Sequence, residues 1–397
     1  MENRVGFTGL AVFVLSLSFL LLGIEKPVYY VMDEVAYVTG ARAFLTGTGY
    51  SNPEHPPLAK ILIAGGMKLA GDNPFGWRLA GAVFGSLTLV AIFLWTYLLL
   101  DNYLLALLAA FLALLNNFLF VIARVAMLDV FYVTFVMWGL VAFTAVLTLD
   151  LSFGRRRILL LATGVMFGLG GACKWNTIVT LAAVALVVVF FYLRDSRHVR
   201  QIGFATLVVA VLLVPAVTYC LAFWIQCYRF HRPFTAAELV SMNMFIWRFH
   251  VNCPGPPALD SPWYRWIFRT SPERGMSYLL GNFVVVWGGF LALLICVWRF
   301  CRSLALPEGL VTLFYGVNLL QWVVIPQQRT MYYYYYPCTI FLCVAFAIVL
   351  GATRERRVLG MRPIVIILVM ASVFFLYCYP RMAALEAPYD CALGCWN

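Results

Sequence analysis

The sequence predicts an all-α polytopic membrane protein: a single integral membrane domain over 1–397, with about 11 transmembrane helices and two long loops on one face. Three observations carry this reading. The chain is 63% hydrophobic and only 11% charged, with a mean hydropathy of +0.89. Its apolar runs are long enough to cross a hydrocarbon core. They are continuous rather than alternating, which fits helices and not the strands of a barrel.

The segments follow in order. Span 1 covers about 6–24; no small-residue cleavage site follows it, so it reads as a retained span and not a signal peptide. A long loop over 25–76 comes next, then span 2 at 77–100, a tight Asp101-Asn102 turn, span 3 at 103–122 and span 4 at 126–149. Span 5, at 158–172, is Gly-rich, which permits close helix contact. Span 6 is 177–193, and span 7 is 202–226 with a kink expected at Pro215. A second long loop runs over 227–277. Spans 8 to 11 cover 278–298, 304–325, 331–350 and 363–379.

The third observation is the placement of arginine. Clusters lie after spans 4, 6, 8 and 10: Arg155 to Arg157; Arg194, Arg197 and Arg200; Arg299 and Arg302; Arg354, Arg356, Arg357 and Arg362. Positive charge in short loops marks the cytoplasmic side, so the N-terminus is expected in the cytoplasm and both long loops outside. This accounts for much of the formal +11 charge without invoking nucleic acid. Most cysteines sit in apolar runs as small hydrophobes, Cys173, Cys220, Cys296 and Cys343 among them. Cys227, Cys253, Cys391 and Cys395 fall outside, where a disulfide is open but its connectivity is not readable.

The outer face concentrates the ionisable residues. The first loop carries Asp33-Glu34, a segment that could be helical, a turn at Gly47 and Gly49, then Glu54-His55-Pro56-Pro57 and Lys60. Short outer turns each add one cation: Arg124, Lys174 and Arg329. A helix-end cation usually snorkels; several converging on one face suggest an anion site, where Arg grips phosphate oxygens bidentately. Asp129 is expected to neutralise Arg124. Trp and Tyr gather at membrane interfaces. The run Tyr332–Tyr336 therefore reads first as an interfacial belt, and Trp263 and Trp266 as interfacial anchors or the flanks of an acceptor groove.

These residues resemble a known family. Asp33-Glu34, then His55-Pro56-Pro57-Leu58-x-Lys60, then Trp77-Arg78-x-x-Gly81, is similar to the first third of the protein O-mannosyltransferases. Those are GT-C glycosyltransferases that use a dolichyl- or polyprenyl-phosphate sugar. Ala123-Arg124-x-x-x-Leu128-Asp129 and the stretch from Gly164 to Lys174-Trp175-Asn176 resemble further family motifs. So do Ser261-Pro262-Trp263-Tyr264-x-Trp266, Gly281-Asn282, Trp287-Gly288, and Arg329 with Tyr332–Tyr336 and Pro337. The second loop is too short for the β-trefoil domain of the eukaryotic members, and Tyr stands where those often have His. Both point to a prokaryotic-type member in the cell membrane.

The resemblance implies a GT-C fold and transfer of a sugar, mannose first, from a polyprenyl-phosphate carrier to an acceptor hydroxyl, with Ser or Thr of a protein as the first acceptor. The carrier departs as a stable anion, so one base suffices and direct displacement inverts the anomeric centre. In the family the first acid of the pair is the base; here that is Asp33, with Glu34 orienting it or contacting the acceptor. His55, Lys60, Arg78, Arg124, Lys174 and Arg329 are the candidates for holding donor phosphate or sugar. The expected partners are the lipid-phosphate sugar, the acceptor and membrane lipids; a dimer is left open. No cofactor is expected and no metal: the second loop offers only Glu238, Asp260 and Glu273, widely spaced, leaving Glu54 with His55 as a variant ion site. Two rivals remain at this stage. One is a GT-C enzyme acting on a lipid or glycan; the other is a transporter, which would place charge mid-span and show inverted repeats.

Overall fold

The computed structural model describes residues 2–49, 51–194, 202–252, 261–272, 279–325, 330–352 and 362–384. Arg329, Asp260, Glu273, Cys253, Cys391 and Cys395 lie outside the described residues. The described chain is built of helices: α1 Glu2–Leu21, α2 Glu34–Thr46, α3 Leu58–Ala70, α4 Pro74–Leu100, α5 Tyr103–Leu114, α6 Asn117–Ala123, α7 Leu128–Thr148, α8 Phe153–Cys173 and α9 Thr177–Leu193. Then follow α10 Phe204–Arg229, α11 Ala236–Asn252, α12 Phe283–Ser303, α13 Leu306–Val324, α14 Tyr336–Ala352 and α15 Pro363–Met382.

Every predicted span is helical, but length and apolarity support fewer crossings than the 11 expected. Among the described residues eight helices are long and apolar enough, and nine if the α5–α6 pair counts as one span. Two segments fall short for plain reasons. Helix α9 has 17 residues, and α13 carries Pro307, Glu308, Asn318 and Gln321 within its length.

Span 3, read as one segment over 103–122, is broken. Helices α5 and α6 meet at 65°. Asn116 caps the new N-terminus by accepting from Phe118 N, and the freed Leu115 carbonyl accepts from Asn282 Nδ2 at 3.0 Å. Asn117 reaches Leu280 O at 2.8 Å. Broken backbone in an apolar layer needs such partners, and here three asparagines supply them. The distortion expected at Pro215 is present as a π-turn over Val209–Leu213, just ahead of the proline.

The bundle has a clear inside. The span ending in α14 is 83% buried and α7 is 78% buried, whereas α15 is 17% and α1 is 22%. The outer helices therefore turn apolar side chains such as Phe7, Leu15, Leu221 and Leu376 outward, as lipid contact requires. Close approach of α8 to α10 depends on the glycines foreseen in span 5. A Cβ on Gly164 would lie 2.2 Å from Ala210 O, and one on Gly168 2.7 Å from Pro215 O.

Both long loops contain helices. The first holds α2 and α3, and the second holds α11, which packs Met242 and Ile246 against Phe223 and Cys227 of α10. Cys227 is a free, buried thiol, not half of a disulfide. Overpacking a tight contact costs about 1–3 kcal/mol, so Gly164→Ala is expected to lower the melting temperature of the detergent-purified protein, whereas adding a methyl at Gly154, which faces open space, is expected to leave it nearly unchanged.

Candidate active site

The acidic pair splits in two directions. Asp33 is the N-cap of α2 and Glu34 its first residue. Successive positions around a helix point about 100° apart, from 3.6 residues per turn, so one carboxylate faces the core while the other faces the site. Glu34 is wholly buried. Its Oε1 accepts from Arg78 Nε at 2.8 Å and from Ala126 N at 2.8 Å. Its Oε2 accepts from Arg78 at 2.8 Å and from Val31 N at 2.9 Å. Arg78 completes the knot by donating to the carbonyls of Ile24, Pro27 and Tyr29.

The expectation that Arg78 grips phosphate is therefore revised: its guanidinium N–H groups are taken up by Glu34 and three carbonyls. Arg124 likewise donates to Leu20 O at 2.6 Å, Leu22 O at 2.7 Å and Gly23 O at 3.1 Å. Those carbonyls end α1 and lack helical partners, so Arg124 is a helix cap. Its pairing with Asp129 is corrected as well. Asp129 instead accepts from Lys174 Nζ at 2.9 and 3.1 Å, because Lys174 at the end of α8 points its ammonium into the bundle. Lys60 is buried too, donating to Asn52 O, to Asn52 Oδ1 at 3.3 Å and to His55 O at 2.9 Å. It braces the turn that presents His55; burial pushes its pKa down to about 7.

Asp33 is the half-buried carboxylate of the site. Tyr333 donates to its Oδ2 at 3.0 Å and Tyr37 reaches the same oxygen at 3.4 Å. Oδ1 has no hydrogen-bond partner among the described residues. Burial raises the pKa of Asp33 above its ordinary 3.8; the Tyr333 hydrogen bond and the Lys174 charge offset this in part. Burial opposes the charge on Lys174, but Asp129, Tyr334 and Asp33 together outweigh it and the pKa is raised. The Lys174 ammonium also lies over the rings of Tyr334 at 4.6 Å and Tyr333 at 5.3 Å.

Beside this cluster is a cavity of about 300 Å³. His55 from the first loop, Lys174 and Trp175 from the α8–α9 turn, His250 from α11, and Trp322 and Tyr334 from the late segment line it. The two imidazoles are 5.0 Å apart, and His250 is anchored through Nε2 to Glu54 O at 3.1 Å. A second, apolar groove on the flank of α10, lined by Val217, Leu221 and Trp224 among others, has no polar group suited to the chemistry. Trp266 does not flank a groove: it is fully buried, donating to Ser261 O at 2.7 Å and packing edge-on against Trp322. Trp263 is half-buried beside Tyr264. Among the described residues no group of three or more His, Cys, Asp or Glu is arranged to hold a metal ion.

Several site residues had no motif to announce them. Tyr37 follows Asp33 by one helical turn, a spacing that is readable. Tyr333 was hidden within the tyrosine run. His250 and Arg229 belong to the second loop region; Arg229 donates to Phe44 O at 2.7 Å and to Leu45 O, tying α10 to the end of α2.

A helical membrane bundle with two long helical loops meeting over a carboxylate, a buried lysine and an aromatic-lined cavity defines a GT-C type of architecture. Solved structures of that type match it: the Saccharomyces cerevisiae protein O-mannosyltransferase Pmt1-Pmt2 complex bound to the sugar donor, with a TM-score of 0.81 at 14% identity over 96% of this chain and 90% of that one. ArnT from Cupriavidus metallidurans bound to undecaprenyl phosphate matches with a TM-score of 0.67 at 17% identity over 95% and 66%. The chain belongs to the dolichyl-phosphate-mannose-protein mannosyltransferase (PMT) family, whose model matches residues 10–231, and it is a glycosyltransferase. It is 25% identical over 376 residues to the polyprenol-phosphate-mannose–protein mannosyltransferase of Corynebacterium glutamicum, covering 78% of this chain and 72% of the relative. The Mycolicibacterium smegmatis enzyme of the same name is 24% identical over 417 residues, covering 85% and 80%.

Removing one partner of a buried ion pair strands the other charge, at about 3–5 kcal/mol. Arg78→Ala is accordingly expected to unfold the outer loop or the whole protein at lower temperature. Adding Glu34→Gln is expected to restore part of the loss, measured by thermal melting in detergent.

Proposed function

We propose that this protein transfers mannose from a polyprenyl-phosphate carrier to a Ser or Thr hydroxyl of a protein acceptor, with inversion, and that Asp33 is the general base. The reaction runs on the outer face of the membrane, with the N-terminus in the cytoplasm, as the arginine clusters in alternate connections favour. The observation that carries the reading is the contrast between the two acidic residues. Glu34 is saturated by Arg78 and two backbone N–H groups, whereas Asp33 keeps an oxygen without a partner among the described residues. A base has to be within reach of the hydroxyl it deprotonates, and of this pair only Asp33 is placed for that.

Lys174 supplies positive charge near Asp33 and at the cavity wall. It supports the departing phosphate, as preorganised cations do where charge develops, and His55 and His250 face the same space. Tyr334, Trp175 and Trp322 give the cavity aromatic faces suited to a sugar ring. The names of the bacterial relatives support mannose as the sugar and protein as the acceptor.

The test uses membranes carrying the protein, radiolabelled polyprenyl-phosphate mannose and a Ser/Thr-rich peptide. Asp33→Asn is expected to lower transfer by about 10²–10⁴-fold, the usual contribution of a general base. Equal transfer by wild type and variant would remove Asp33 from its role, and label recovered in lipid instead of peptide would redirect the acceptor. The base works only when ionised. Since burial raises its pKa, the rate is expected to fall on acidification through a point above the ordinary carboxylate value of 3.8. Tyr333→Phe removes a hydrogen bond that favours the ionised form, so it should move that acid limb to higher pH.

A further inference from the structure

A general base that is half-buried has to be emptied of its proton before the next turnover. The structure holds a side-chain path leading from Asp33 toward the cavity. Tyr37 stands one helical turn beyond Asp33 and is buried. Its hydroxyl lies 3.4 Å from Asp33 Oδ2 and 3.5 Å from His55 Nε2. His55 in turn lines the cavity that Lys174 also lines. Both distances are long for finished hydrogen bonds; catalytic contacts in unliganded sites commonly tighten only when substrate is bound.

We propose that Tyr37 and His55 form a relay that carries the acceptor's proton from Asp33 to the polyprenyl phosphate monoester released from the sugar. The inference rests on Asp33 being the base. The proton balance closes within the reaction. The acceptor O–H bond breaks as its oxygen bonds the anomeric carbon, and the proton passes to Asp33. The sugar–phosphate C–O bond breaks, and its electrons stay with the phosphate, which gains one negative charge. Rotation about the Asp33 Cβ–Cγ bond presents the acid proton to Tyr37. Tyr37 takes that proton and gives its own to His55 Nε2. His55 then releases a proton from Nδ1 to the phosphate monoester, whose second pKa is about 6, and exchange with water restores the imidazole tautomer. Asp33, Tyr37 and His55 end as they began, and no further reactant is needed.

The electrostatics favour onward delivery. The groups facing His55 are Tyr37 on α2, Lys60 on α3, Lys174 after α8, His250 on α11 and Glu54 in its own turn. Burial, followed by the charges of His250, Lys174 and Lys60, lowers the pKa of His55 well below its ordinary value. The ring is thus neutral and able to accept at neutral pH, and as a cation among cations it does not hold the proton. A phosphate dianion in the cavity is the natural recipient.

The experiment compares wild type, Tyr37→Phe, His55→Ala, the double variant and Asp33→Asn in peptide mannosylation, in H2O and D2O. Tyr37→Phe keeps the ring and removes only the hydroxyl. It is expected to lower kcat about 10-fold, within the range of proton-transfer contributions, to leave the donor KM near wild type, and to enlarge the solvent isotope effect. His55→Ala should lose a similar factor and regain rate with added imidazole. The double variant should lose no more than the worse single variant, since one path is interrupted twice. A Tyr37→Phe variant with wild-type kcat and isotope effect, or additive losses in the double variant, would overturn the relay. Asp33→Asn separates the two ideas. If it is inactive while Tyr37→Phe behaves as wild type, the relay alone fails; if it transfers at the wild-type rate, the base assignment fails and the relay with it.

Discussion

The ion pair between Glu34 and Arg78 holds the loop-bearing face of this enzyme together. Both groups are withdrawn from solvent, a state tolerated only when geometry is good and the remaining polar atoms are satisfied. Here the carboxylate takes two backbone N–H groups and the guanidinium three carbonyls in addition to the pair itself. Those five backbone groups come from the segment that follows α1, the start of the first loop and the turn before α7, and the pair itself joins α2 to α4. Asp33 is adjacent in sequence to Glu34, so its position is inherited from that knot. The sealed carboxylate thereby sets the place of the available one.

The remaining outer elements are secured by similar means. Arg124 caps α1, Lys60 braces the turn carrying His55, and Arg229 holds the end of α2. In an apolar bundle each charged side chain must find polar partners or stay at the surface, and backbone carbonyls at helix ends are the most abundant acceptors at hand. The consequence is that most cations described on this face are structural. Lys174 differs because it meets a carboxylate, three tyrosine rings and the cavity at once. It can serve the site because Asp129 preserves its charge under burial.

Much of this was legible in the residues. Continuous apolar runs marked the helices, the glycines of span 5 marked a close contact, and Asp33-Glu34 with His55-Pro56-Pro57 marked the active region. Three things were not legible. The break between α5 and α6 depends on Asn282, more than 160 positions away, so no local signal announced it. The roles of Arg78 and Arg124 depended on which atoms faced them, and a motif records only that a cation is present. His250 and Tyr333 entered the site through loop packing and a turn, the first from a region without a matching motif, the second from among near-identical neighbours.

The amino-acid sequence by itself determined that the chain is a multi-helix membrane protein, which connections carry charge, and which short stretch holds the paired carboxylates. Hydrophobic period, charge placement and motif spacing are local properties and survive without coordinates. Only the tertiary structure decided which acid is sealed and which is available, which lysine reaches the cavity and which arginines are caps. Those outcomes turn on directions a few ångströms across, between groups brought together from loops far apart in the chain. Spacing along the chain does not encode them, because packing selects the rotamer and the partner after the helices have assembled.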